Sequence, residues 1–298
     1  MAQNILHMFF TGEHASPFDI NMAVDAGFQT VVPYTRVTRK DVLPLVQDSI
    51  FSRPPAYFNH TGVFIGGHDV NLAADMVEAA GNAMFKPFEV CVMADPNGAY
   101  TTSAATIALV NKHLVESGSE LNGSSVAVFG GGPVGLCALV LAARAGARAT
   151  LARLTPATAE KQRVVEQFLS RYSVEVSHVS AETEDQKHEV LQAADVVVST
   201  AKAGIEVLSA DLLSSVQGIK VAADVNAVPP AGIAGVGLQD KGIPVETLNG
   251  GLGIGALAIG NIKYKTQQGL LQRMQTTPEA VVLDFPDAFE VASELVSA

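Results

Sequence analysis

Short apolar runs alternate with longer segments of helical period along most of this chain. Residues 4–10, 30–34, 61–65 and 89–93 read as strands. Residues 69–83 and 101–117 repeat apolar side chains at helical spacing, and Thr101 or Thr102 is placed to cap the second of these helices. Strands that alternate with helices predict a mainly parallel sheet, because parallel neighbours need a crossover connection. The polar link 116–123 closes this first lobe at about residue 118. A second series follows, with strands at 124–129, 147–152, 174–176, 196–199 and 221–224 and helices at 134–145 and 157–170. Residues 278–297 have the pattern of an amphipathic helix that returns to the first lobe. The fold class is therefore α/β with two lobes: an N-terminal parallel lobe over 1–118, a second lobe over 119–270 and a C-terminal helix within 271–298.

The second lobe opens with the most informative stretch, where an apolar strand runs into Gly130-Gly131-Gly132-Pro133-Val134-Gly135 and then into an Ala/Leu-rich helix. Strand, Gly-x-Gly-x-x-Gly and helix in that order make a Rossmann-type dinucleotide-binding unit. Gly130 permits the tight turn, Gly132 lets backbone approach a pyrophosphate, and Gly135 lets helix and strand pack closely. A purely structural glycine turn is the competing reading. The second strand decides which dinucleotide. An acid at its end would bind the ribose hydroxyls of NAD, but the chain reads Thr150-Leu151-Ala152-Arg153-Leu154-Thr155. Arg153 and Thr155 stand where a 2′-phosphate would lie, with no carboxylate to repel it, so NADP is accepted and NAD is not forbidden. The competing reading of Arg153 is a solvated surface residue.

Composition narrows the class. With 298 residues and 48% hydrophobic content the chain can build two cores. Its apolar runs are too short to span a membrane, and the N-terminus lacks a secretory pattern, which together predict a cytoplasmic protein. Thirty acidic against 19 basic residues give a net charge of −11, which argues against nucleic acid and anionic membrane as partners. The two cysteines, Cys91 and Cys137, lie in apolar surroundings and read as buried thiols. Seven histidines show no metal-ligand spacing, so no metal is assigned.

Open α/β sheets bind ligands at the carboxyl ends of their strands. Two later segments fall there: Thr200-Ala201-Lys202, whose small residues would admit a nicotinamide, and Asn226, which would hydrogen-bond nearby. The run 250–260 lacks the Lys-Ser/Thr ending of a P-loop and reads as a close-packed hinge.

Ser16-Pro17-Phe18-Asp19, Gly66-Gly67-His68-Asp69, Asp95-Pro96-Asn97-Gly98-Ala99-Tyr100-Thr101-Thr102, the glycine turn, Ala223-Asp224-Val225-Asn226-Ala227 and Gly253-Ile254-Gly255 through Lys263 occur in an order that resembles the bacterial NAD(P)-dependent methylene-tetrahydromethanopterin dehydrogenases. The likeness covers nearly the whole chain. It implies an enzyme of methylotrophic formaldehyde oxidation that takes a hydride from methylene-tetrahydromethanopterin to NAD or NADP, and a homotrimer. It also implies that the first lobe holds the pterin. One departure is Tyr264-Lys265-Thr266-Gln267-Gln268, where NADP-only relatives carry a basic run. The methylene carbon sits between two nitrogens whose lone pairs expel hydride, so the protein must align, exclude water and tolerate the growing positive charge. Asp19, placed in a loop after the first strand, is the candidate for that electrostatic role, with helix capping as the alternative. Lys263 is the candidate donor to the pterin or its anionic tail. His68, Asn97, Thr101 and Thr102 are candidate pterin contacts, or else turn and capping residues. Two other activities stay open: the same oxidation on tetrahydrofolate, and a non-catalytic NAD(P) sensor. Tyr34 to Lys40 lacks the Tyr-x-x-x-Lys spacing of folate cyclohydrolases, so no cyclohydrolase activity is expected.

Overall fold

The computed structural model describes residues 3–297, and its contacts divide the chain into two compact units. Unit 1 takes the described residues up to Thr101 together with Tyr264–Val291, and unit 2 takes Thr102–Lys263 and the described residues from Ala292. The chain begins β1 (Ile5–Phe10), α1 (Pro17–Asp25), β2 (Thr30–Tyr34), α2 (Arg39–Phe51), β3 (Thr61–Gly66), α3 (Val70–Asn82), β4 (Cys91–Ala94) and α4 (Ala99–Glu116). It continues β5 (Ser125–Phe129), α5 (Pro133–Arg144), β6 (Arg148–Arg153), α6 (Ala159–Arg171), β7 (Ser177–Ser180), α7 (Glu184–Gln192) and β8 (Val196–Ser199). The remainder is α8 (Ala210–Ser214), β9 (Val221–Asp224), β10 (Lys241–Pro244), β11 (Leu252–Ile254), α9 (Ala256–Thr276), β12 (Val282–Leu283) and α10 (Phe285–Ser297).

Unit 1 contains a five-stranded parallel sheet in the order β12-β4-β3-β1-β2. Unit 2 contains seven strands, β10-β11-β9-β8-β5-β6-β7, parallel except that β10 runs against β11. Position in the sheet explains which strands are apolar throughout. Every residue of β3, β4, β8 and β9 is buried, because helices cover both faces of a central parallel strand. The edge strands β7 and β10 contain no buried residue, and β7 is correspondingly polar.

The edges are also where the structure departs from the pattern. The expected strand at 174–176 lies instead at Ser177–Ser180, since its register is set by pairing Thr150 with Ser177 on the neighbouring β6. Residues 278–297 are not one helix. Val282 and Leu283 pair with Val92 and Met93 and extend the unit 1 sheet, and the helix starts only at Phe285. The run 250–260 forms a turn, β11 and the opening of α9. Gly251, Gly253 and Gly255 serve close packing: a Cβ on Gly255 would stand 2.0 Å from the Gly237 carbonyl oxygen. The units divide inside α4, α9 and α10, after Thr101, Lys263 and Val291, whereas the sequence pattern predicts borders at 118 and 270. A continuous helix carries the chain across each division, so no linker composition marks it. Among the described residues no helix is long and apolar enough to cross a membrane.

Candidate active site

In unit 2 the chain leaves β5 toward β6 on one side and later returns to β8 on the other, so the carboxyl ends of β5 and β8 flank a reversal in strand order. A cavity of about 1140 Å³ opens beside these ends, lined by Gly130, Gly131, Gly132, Arg153, Thr155, Thr200, Ala201 and Lys202 among others. Three of the four glycines of the turn have separate reasons to be glycine. Gly130 sits at φ +117°, a conformation that a side chain would strain. A Cβ on Gly135 would lie 2.1 Å from the Gly130 carbonyl oxygen and 2.6 Å from Thr200 Oγ1. Around Gly132 nothing lies within 4 Å of a Cβ, so a methyl there would enter the cavity. Gly132 is also the N-cap of α5 and no side chain caps that helix, which leaves its first turn to an anion. Pro133 and Val134 form that first turn.

Thr200, expected beside a nicotinamide, spends its hydroxyl on the turn itself, donating to the Gly130 carbonyl at 2.9 Å. Asn226 is spent as well. Its Oδ1 accepts from the Val228 amide at 2.9 Å, and its Nδ2 donates to the Pro230 carbonyl at 2.9 Å. The neighbouring Asp224, 2% exposed, accepts the Gly232 amide at 2.6 Å and the Asn226 amide at 3.1 Å. Burial raises its carboxyl above the usual range, and these backbone donors only partly offset that. Asp224 and Asn226 thus hold the loop after β9.

Arg153 closes β6 and lines the cavity, and its Nη2 donates to His178 Nδ1 at 2.5 Å. Burial, with the Arg153 charge second, holds the His178 imidazole below its ordinary pKa, against a smaller opposing effect of Glu166. The start of α6 contributes Thr158, Glu160 and Lys161 to the same wall. Sequence reasoning missed these three, although their place in the turn after the second strand was the available signal. His178 had no signal, because a histidine on a polar edge strand resembles any exposed one.

In unit 1 the reversal lies between β1 and β3. The candidate residues Asp19, His68 and Asn97 follow the carboxyl ends of β1, β3 and β4, which are adjacent in the sheet. The Thr11 amide donates to Gly66 at 3.3 Å and the Asp95 amide to Ile65 at 3.1 Å, tying those ends together. Asp19 is not in a loop. Ser16 caps α1, accepting from the Asp19 amide at 3.2 Å, and Pro17 occupies the first turn, where its missing N–H costs nothing. The Asp19 side chain is 4% exposed and accepts from Gln267 Nε2 at 2.8 Å. Gln267, from the run that departs from the NADP-only relatives, was not among the expected site residues.

Neither Thr101 nor Thr102 caps α4, which begins at Ala99. Asp95 does so: its Oδ1 accepts the Tyr100 and Thr101 amides at 3.0 and 3.2 Å, and its Oδ2 accepts the Thr101 hydroxyl at 2.6 Å. Thr101 is fully buried by this arrangement, whereas Thr102 is partly accessible. Asn97 is exposed in the left-handed conformation at φ 51°, and His68 lies in the turn before α3. Lys263 is half-buried inside α9, one helical turn before Gln267. No group of three or more His, Cys, Asp or Glu is placed to hold a metal among the described residues.

Two family models match this chain: the N-terminal domain of methylene-tetrahydromethanopterin dehydrogenase over residues 17–97, and the C-terminal domain of alanine dehydrogenase/PNT over residues 102–227. The NAD(P)-dependent methylenetetrahydromethanopterin dehydrogenase of Methylorubrum extorquens is 42% identical over 297 residues, which is 99% of this chain and 99% of the relative. The chain belongs to the methylene-tetrahydromethanopterin dehydrogenase family. A second protein of that organism, named bifunctional protein MdtA, is 31% identical over 99% of this chain and 100% of its own. Shikimate 5-dehydrogenase from Listeria monocytogenes, solved with shikimate and NAD, shares 12% identity at a TM-score of 0.53, covering 98% of this chain and 96% of that one, and so shares the fold. In this methylene-tetrahydromethanopterin dehydrogenase family member, the first match spans the unit 1 segment with Asp19, His68 and Asn97, and the second spans the glycine turn, Arg153 and Asn226.

Proposed function

We propose that this protein transfers a hydride from methylene-tetrahydromethanopterin to NAD(P)⁺, giving methenyl-tetrahydromethanopterin, in the oxidation of formaldehyde-derived carbon. The observation that carries the reading is the end-to-end 42% identity to a relative bearing that activity's name. The unit 2 cavity fits the dinucleotide: Gly132 leaves room for a pyrophosphate, the first turn of α5 lacks a side-chain cap, and Arg153 supplies positive charge. When bound, the dinucleotide would supply a hydride acceptor, the electron pair leaving the methylene carbon with the hydride while a pterin nitrogen lone pair closes the C=N bond. Gly130 to Gly135 would hold its phosphates, Ala201 and Lys202 would face the nicotinamide half, and Arg153 with Thr155 would face the ribose. Accordingly both NADP⁺ and NAD⁺ serve as co-substrates.

Asn97 and His68 supply pterin contacts at the carboxyl edge of the unit 1 sheet, Thr102 supplies one from the first residue of unit 2, and Thr101 supports Asn97 through Asp95. Asp19, held by Gln267, stabilises the positive charge that spreads over the N–C–N unit, and Lys263 donates to the carrier. Loss of hydride needs no base at that carbon, so Asp19 is assigned an electrostatic role and Asp95 a structural one. Cytoplasmic location and a homotrimer belong to the same reading, and light scattering of the purified protein checks the second. The deciding experiment measures NAD⁺ and NADP⁺ reduction with formaldehyde and either tetrahydromethanopterin or tetrahydrofolate. Turnover with the methanopterin carrier supports the assignment. Turnover with folate alone moves the activity to the folate carrier, and cofactor binding without turnover makes the protein a sensor.

A further inference from the structure

Arg153 reaches the cavity from the end of β6, but the group that holds it is on the next strand. In the register of β6 and β7, His178 stands opposite Leu151, two residues behind Arg153 on the same face. Leu151 lines the cavity too, so the Arg153 side chain turns back along the cavity wall to reach His178 Nδ1 at 2.5 Å. This contact differs from an ion pair in a way that matters for anion binding. A carboxylate would fix the guanidinium but neutralise it. A neutral imidazole accepts one of its five N–H donors and leaves both the charge and the other donors for a ligand. Burial and the Arg153 charge itself keep His178 in the neutral form that can accept, and the facing carboxylate, Glu166 of α6, opposes this only in part. Without the anchor, a long side chain at a strand end keeps most of its rotamer freedom and must be ordered when the anion binds.

We propose that His178 is a positioning residue for cofactor choice: it holds Arg153 against the cavity wall and charged for the 2′-phosphate, and so sets the ratio of NADP⁺ to NAD⁺ use. The proposal rests on the reading of this cavity as the dinucleotide site. It is tested by calorimetric titration with adenosine 2′,5′-bisphosphate and with AMP, alongside KM and kcat for NADP⁺ and NAD⁺, on the wild type, His178→Ala, His178→Asn and Arg153→Ala. His178→Ala should weaken the bisphosphate and raise KM for NADP⁺ by about tenfold, the effect of losing one charge-assisted hydrogen bond. Affinity for AMP, KM for NAD⁺ and kcat should stay within about twofold, which also certifies the fold. His178→Asn, which returns an acceptor oxygen near the Nδ1 position, should recover most of the loss, a result that a packing role would not give. If Arg153→Ala abolishes the preference for the bisphosphate while His178→Ala keeps it, the role of His178 is overturned. Equal losses for both ligands in His178→Ala overturn it too. If the wild type binds the bisphosphate no more tightly than AMP, the reading of the cavity itself falls, and the proposal with it.

Discussion

Replacing Gly135 by alanine and, separately, Gly132 by alanine divides the structural from the ligand-binding work of one turn. At Gly135 the new methyl would stand 2.1 Å from a backbone oxygen and 2.6 Å from Thr200 Oγ1, which itself donates to that oxygen. Carbon and oxygen need more than 3 Å, so α5 must retreat from the turn by about 1 Å. Overpacking of this kind costs about 1–3 kcal/mol, and a partner that is backbone cannot rotate away, which favours the upper part of that range. Alanine returns about 1 kcal/mol through helix propensity. The net loss is about 2 kcal/mol, or a fall in Tm of about 4–8 °C for a unit of this size. At Gly132 the φ of −78° suits any residue and the methyl meets nothing. Its poorer capping and its smaller unfolded-state entropy nearly cancel, leaving Tm within about 2 °C. The methyl nevertheless occupies the space reserved for a pyrophosphate, so NADP⁺ binding should weaken by at least about tenfold, or 1.4 kcal/mol. The chain has no tryptophan, so titration calorimetry with circular-dichroism melts is the suitable assay. A Gly132→Ala protein that binds NADP⁺ like the wild type would refute the placement of the cofactor. A Gly135→Ala protein that melts like the wild type would refute the steric argument.

Three further outcomes are expected. Arg153→Asp should raise KM for NADP⁺ by about two orders of magnitude and change that for NAD⁺ far less, because it sets a carboxylate against a phosphate; equal effects on both cofactors would place Arg153 outside the ribose site. Asp19→Asn retains an acceptor for Gln267 but removes the charge, so kcat should fall about tenfold or more with an unchanged dichroism spectrum; wild-type turnover would end the electrostatic role. Asp224→Asn leaves one acceptor oxygen where two receive backbone donors, at a cost of about 1–3 kcal/mol. Because the folded Asp224 carboxyl is raised, it binds its proton more tightly than in the unfolded chain, and its contribution to stability grows as pH falls toward 3.8, the ordinary value for an aspartate. Urea unfolding of both proteins at pH 7 and near pH 4.5 should therefore show the wild type's advantage widening in acid, and a narrowing gap would contradict the raised pKa.

Much of the fold is legible in the sequence because central parallel strands announce themselves. Val196–Ser199 and Val221–Asp224 are buried on both faces, so each reads as an unbroken apolar run, and both lie where the pattern puts them. The edge strands lose that signature. No residue of β7 is buried, and β12 is two residues long and pairs only with the edge of β4. Helix starts divide in the same way. Ser16 with Pro17 marks α1 locally, but the Asp95 that caps α4 lies beyond a 3-10 turn, four residues before the helix begins, where no local rule would seek it.

The sequence by itself determined the two-part α/β architecture, the glycine turn, the absence of an acid after the second strand and the family, since each is written in contiguous residues or in the order of motifs. Only the tertiary structure decided what those side chains touch: Gln267 on Asp19 from 248 residues away, Thr200 closing the turn of Gly130, and His178 holding Arg153 across a strand pair. Local composition constrains backbone conformation through sterics and burial. A contact between distant side chains depends instead on sheet order and register, and neither is encoded at any one position.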